Sequence, residues 1–142
     1  MNELLTHATK AIGFRFTKAV AGMPEEFGHY RLNPHTRTPN QIITHLFDLA
    51  SKTIMMIEEG HFKSPPPEEL SFNGEVGRYL EKLVSLRQVL QTRELPIDLS
   101  KKLFQGPILD MTSHVGQLAL LRGMSGDPVP RISYFAADLE SE

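Results

Sequence analysis

The sequence predicts an all-α protein: a four-helix bundle with a C-terminal extension packed on it, formed by residues 1–142 as a single domain. Two observations predict this. Apolar residues recur at spacings of three, four and seven in four stretches, and three segments dense in Pro, Gly and polar residues separate those stretches. No alternating polar and apolar run of useful length, and no internal repeat, competes with that pattern. Helices of about 18–22 residues joined by moderate connections are the signature of a bundle.

The first helix is expected from Glu3 to Gly22, with Leu5, Ile12, Phe16, Ala19, Val20 and Met23 forming one apolar stripe. Gly22 and Pro24 end it. The second opens at Thr38-Pro39-Asn40-Gln41, where Thr38 can cap, Pro39 suits the first helical position and Gln41 can complete a capping box. It continues through Ile42, Ile43, Leu46, Leu49, Ile54 and Ile57 and stops at Gly60. Pro65-Pro66-Pro67 then forbids helix and favours extended chain. The third is expected to be capped by Asn73 and to bury Val76, Leu80, Leu83, Val84 and Leu90. Gly106-Pro107 is expected to open the fourth, which runs to Met124 and buries Ile108, Met111, Val115, Leu118 and Ala119. The tail from Val129 to Leu139 carries Ile132, Tyr134, Phe135 and Leu139, enough apolar surface to dock on the bundle.

Composition excludes several functional classes. The 142 residues carry 15 Lys and Arg against 17 Asp and Glu, a net charge of −2 without a basic stripe, which argues against nucleic acid as a partner. There is no cysteine, so disulfides, thiolate nucleophiles and Cys-ligated zinc are excluded. No apolar run approaches the roughly 20 residues of a membrane span, and Met1 to His7 shows no secretory pattern. A cytoplasmic protein without a membrane partner is the expectation.

Two of the six histidines lie in informative contexts. Asp110 and His114 are one turn apart on the fourth helix and point the same way, on the flank of its apolar face. His45 lies at the edge of the apolar arc of the second helix, in Thr44-His45-Leu46-Phe47-Asp48-Leu49. One histidine facing an Asp/His pair would bring three nitrogen or oxygen ligands to one point, the minimum for an open metal site. The plainer reading is that His45 packs at a core edge and that Asp110, just after Pro107, is favoured by the positive end of its helix. His7, His29, His35 and His61 read as surface or packing residues, Asp48 and Lys52 as an ion pair one turn apart, and Arg122 as an intramolecular clamp for the C-terminal segment.

The run His114-Val115-Gly116-Gln117-Leu118-Ala119-Leu120-Leu121-Arg122-Gly123-Met124-Ser125-Gly126-Asp127-Pro128-Val129-Pro130, with Thr44-His45-Leu46 upstream, resembles the DinB-like superfamily of metal-dependent proteins. The resemblance implies an up-down-down-up four-helix bundle, often a homodimer, with three histidines around a divalent ion, Zn or Ni above all and Fe or Mn as further candidates. His45 matches the ligand from the second helix and His114 the second histidine of a His-x-x-x-His pair. Asp110 stands where the first histidine of that pair would be, so the implied set is His45, Asp110 and His114. The implied activity is metal-dependent: transfer of a low-molecular-weight thiol, or hydrolysis of a small molecule. The competing expectation is a non-catalytic dimeric bundle, binding a small molecule or acting in stress response, whose metal site has decayed.

Overall fold

The computed structural model describes residues 1–140. Helix α1 spans Glu3–Val20, α2 Pro39–Glu59, α3 Phe72–Thr92, α4 Ile97–Leu103 and α5 Leu109–Met124. A 3-10 turn, Glu25–His29, lies between α1 and α2, and a π-helical turn, Phe104–Ile108, joins α4 to α5. No strand occurs among the described residues. None of their helices is long and apolar enough to cross a membrane.

Local chemistry explains most of the helix ends. Thr38 accepts from the Gln41 N–H at 3.2 Å while Gln41 Oε1 accepts from the Thr38 N–H at 2.9 Å, the capping box expected for α2. Gly60 ends that helix at φ 78°, a left-handed conformation that a side chain would strain. The cap of α3 lies two residues before the expected one. Ser71, not Asn73, accepts the N–H of Gly74 at 3.1 Å, because Phe72 must already be helical to bury its ring edge-on against Phe27. The buried face of α3 is also rotated from the expected one: Phe72, Tyr79, Leu83, Leu86 and Leu90 face inward, and Val84 is exposed.

The last helical run departs furthest from expectation. It starts at Ile97, and Pro107 lies inside it instead of opening it. Proline has no N–H to donate and crowds the preceding turn. The wider π turn around Pro107 absorbs both defects while the backbone from Leu103 to Leu109 stays right-handed. Asp110 therefore sits well inside a continuous helical run, so the helix-end explanation for it does not apply.

Six hydrogen-bonded or ionic contacts set the chain directions. Thr44 bonds Glu75 near the starts of α2 and α3, and Glu58 lies 3.8 Å from Arg93 near their ends, so these helices are parallel. The Asn2 side chain donates to the carbonyls of Leu90 and Arg93, placing the start of α1 at the end of α3. Arg122 of α5 donates to the carbonyls of Lys18 and Ala21, placing the ends of α5 and α1 together. The long helices thus run up, down, down, up. Each packs mainly on two others, in the ring order α1–α3–α2–α5.

Parallel neighbours need a connection as long as the bundle. At 1.5 Å per residue the 21-residue α2 is about 32 Å long. Residues 60–71, extended at about 3.3 Å each, reach about 40 Å. The three prolines hold that segment extended, and so the Pro-rich linker makes the parallel α2–α3 pair possible. The core between the helices includes Phe16, Ile43, Leu46, Tyr79, Leu83, Leu86, Met111 and Leu118.

The tail docks as expected, on the α1 side. Tyr134 meets Phe14 edge-on at 6.2 Å, Arg15 lies 4.0 Å over the Tyr134 ring, and Lys10 pairs with Glu140 at 2.8 Å. Phe135 is fully exposed, so it adds nothing to that docking.

Candidate metal centre

Helices α2 and α5 are antiparallel neighbours, and the two histidines lie at the same height along them. The His45 and His114 rings meet with centroids 4.6 Å apart and planes at 87°. Both side chains are half-buried. A ring nitrogen about 2.1 Å from an ion puts the ring centroid about 3.2 Å from it, so two rings on one ion have centroids about 4.5 Å apart at a ligand angle of about 90° and about 5.2 Å apart at the tetrahedral angle. The pair therefore has a spacing that fits shared coordination. An edge-to-face aromatic contact has the same form.

The protonation pattern suits ligation. His114 Nδ1 lies 2.9 Å from Gln117 Oε1, and an amide oxygen can only accept, so the neutral ring would carry its proton on Nδ1 and keep the lone pair on Nε2. Burial holds the His45 imidazole below its usual range; the charges of Arg37, His114 and Lys52 act in the same direction and Asp48 opposes them. At neutral pH the His45 ring is thus neutral, with a lone pair to offer.

Asp110 stands apart from the pair. It is exposed one turn before His114, and no hydrogen bond or ion pair joins it to another described residue. Among the described residues, no group of three His, Cys, Asp or Glu is spaced to hold a metal ion. The structure brings together two of the three residues singled out in the sequence. Asp110 is not joined to them.

The remaining residues sort as follows. His7, His29, His35 and His61 are exposed. Asp48 is bound by Lys52 at 2.6 Å and so does not support either ring. Arg122 is an intramolecular clamp, but it holds the end of α1 and its own following turn, through the Asp127 carbonyl at 2.7 Å, and not the docked tail. The sequence reading missed Glu75, which is completely buried beside the His45 turn. Its Oε2 accepts from Thr44 Oγ1 at 2.6 Å and from the Leu70 N–H at 2.9 Å, and its Oε1 meets Arg78 at 2.6 Å. Glu75-x-x-Arg78 is an ordinary helical ion-pair spacing, and nothing in it signals burial.

No protein-family model, curated protein or solved structure matches the chain.

Proposed function

We propose that the chain is a DinB-like protein that holds a divalent metal ion, Zn or Ni first and Fe or Mn as alternatives, through His45 and His114 with Asp110 as the third ligand. The observation that carries this reading is the meeting of the two imidazoles on facing helices, one of them fixed by Gln117. The up-down-down-up course of the helices supports it as well. Such an ion supplies Lewis acidity, lowering the pKa of a thiol or water that binds it.

In this reading the protein is a metal-dependent enzyme acting on a small molecule. His45 enters neutral, Gln117 holds His114 in register, and Arg37 adds positive charge near the pair, which favours an anionic species such as a thiolate. Asp48 is committed to Lys52 and Asp110 to the ion. The carboxylates nearest the pair thus leave no spare general base, which favours transfer of a low-molecular-weight thiol over hydrolysis.

A homodimer is part of the proposal. A cleft of about 710 Å³ is walled by Leu4, Leu95, Ile97 and Phe104, three of which are strongly exposed apolar side chains. Such a surface supports burial against a second copy.

The second reading, a non-catalytic bundle that binds a small molecule or acts in stress response, is favoured by one observation: no third ligand-type residue stands with the two histidines among the described residues. Elemental analysis after reconstitution with Zn or Ni separates the two. One ion per chain in the wild type, lost in both His45→Ala and His114→Ala with the helical circular dichroism retained, is the expected result. Loss in Asp110→Ala as well completes the ligand set, and retention there removes Asp110 from it. No metal in the reconstituted wild type overturns the metal reading and leaves the non-catalytic bundle.

A further inference from the structure

The face opposite the histidine pair, between α1 and α3, carries a second concavity of about 500 Å³, a volume in the range of small-molecule sites. Its floor is apolar: Phe14 from α1 and Leu80, Leu83 and Val84 from α3. Gly13 deepens it, since a Cβ there would stand in the groove, 3.6 Å from Leu83 and 4.0 Å from Arg87 Nη1. The rim is cationic, with Lys10, Lys18 and Arg87.

No carboxylate from the four long helices lines this groove; among the described residues the one acid in it comes from the tail. There, Leu139 lies on the apolar floor and Glu140 reaches Lys10 at 2.8 Å. The chain thus seats an apolar side chain next to a carboxylate in its own groove. Lys18 extends over the Phe14 ring at 5.3 Å, and no ion pair joins Arg87 to a described residue. Among the described residues three cations face one anion, so on their balance positive charge remains at the rim of an apolar trough.

We infer that the α1–α3 groove is a binding site for a single-chain amphiphile with a carboxylate head, such as a medium-chain alkyl carboxylate. The chain of the ligand lies along Phe14, Leu80 and Val84 beyond Leu139, and its carboxylate meets Arg87 and Lys18 as Glu140 meets Lys10. Apolar burial supplies the affinity, and the two cations select an acid over a neutral chain of equal length. This site is independent of the metal reading, because it lies across the bundle from His45 and His114.

Titration calorimetry of the full chain with decanoate tests the proposal. Binding of one decanoate per chain with Kd below about 1 mM is expected. Arg87→Glu should weaken it at least about tenfold, and decanol should bind wild type at least about tenfold more weakly than decanoate. Gly13→Leu, which fills the groove, should abolish binding while circular dichroism shows an intact fold. Lys101→Glu, in the apolar cleft at the other end of α1, should leave the affinity unchanged. Absence of binding to wild type overturns the proposal, as does equal affinity for decanol or an unchanged Kd in Arg87→Glu. Loss of binding in Lys101→Glu alone also overturns it, by moving the ligand to the other cleft.

Discussion

The Thr44 hydroxyl lies 2.6 Å from Oε2 of Glu75, joining the residue before His45 to the first turn of α3 through a carboxylate that has no exposure to solvent. A buried carboxylate is tolerated only when its lone pairs are met. Glu75 receives Thr44, the Leu70 N–H and the Arg78 guanidinium, which itself lies 4.3 Å over the Phe47 ring. This cluster fixes how far α2 slides against α3, and therefore the height at which His45 meets α5.

Glu75→Ala removes the acceptor for Thr44 and the Leu70 N–H and leaves Arg78 held only by the Glu68 carbonyl and the Phe47 ring. Breaking a buried ion pair from one side costs about 3–5 kcal/mol. Urea denaturation should show a loss of that order, with Glu75→Gln losing less because an amide oxygen still accepts from Thr44. A loss below about 0.5 kcal/mol in Glu75→Ala would be the size of an ordinary surface change and would contradict a structural role for the cluster.

Gly28 is buried against Asn40, and a Cβ at Gly28 would overlap the Asn40 side-chain amide. Gly28→Ala should cost about 1–3 kcal/mol by overpacking. Adding Asn40→Ala removes the clash, so the double variant should lose less than the sum of the two single losses in thermal melts.

Arg122 is nearly buried, and its guanidinium donates to the carbonyls of Lys18, Ala21 and Asp127. A hydrogen bond to a charged group contributes about 1.5–3 kcal/mol. Arg122→Met keeps the apolar stem and should lose at least that much in denaturant titration. Its hydrogen exchange should quicken first at the end of α1.

In metal-free protein, His45 makes stability depend on pH in one direction. The unfolded chain protonates this ring near its usual value of about 6.5, whereas burial, then Arg37, His114 and Lys52, hold the folded ring below that value against the pull of Asp48. As pH falls below about 6.5 the unfolded state takes up the proton first, so stability is full above that pH and declines toward the folded pKa. The melting temperature should drop on acidification through this window, and His45→Gln should flatten the drop. The NMR titration of the His45 ring should move upward in Arg37→Gln.

Much of the bundle was legible because helices announce themselves locally. The stripe Leu5, Ile12, Phe16, Ala19 and Val20 is buried as its spacing required, and the capping box at Thr38 and Gln41 formed as its residues suggested. The errors arose where tertiary contacts overrode local rules. Pro107 reads as a helix start, yet packing of Leu103 and Ile108 in the core keeps the helix running through it as a π turn. Val84 and Leu86 are equally apolar in sequence, and only the seat of α3 against α1 and α2 buries one and exposes the other.

The sequence by itself determined the number of long helices, the apolar faces of α1, α2 and α5, the extended Pro-rich linker, and that His45 and His114 stand at the edges of two core-facing arcs. Only the tertiary structure decided that α2 and α5 are neighbours, that the two rings touch, that Asp110 stands apart from them, and that Glu75 is sealed from water. The physical reason is range. Periodicity reports which side of a helix avoids water, because that preference lies within a few turns of chain. Which helix covers that side depends on linker reach and on how side chains from distant segments fill a shared interior.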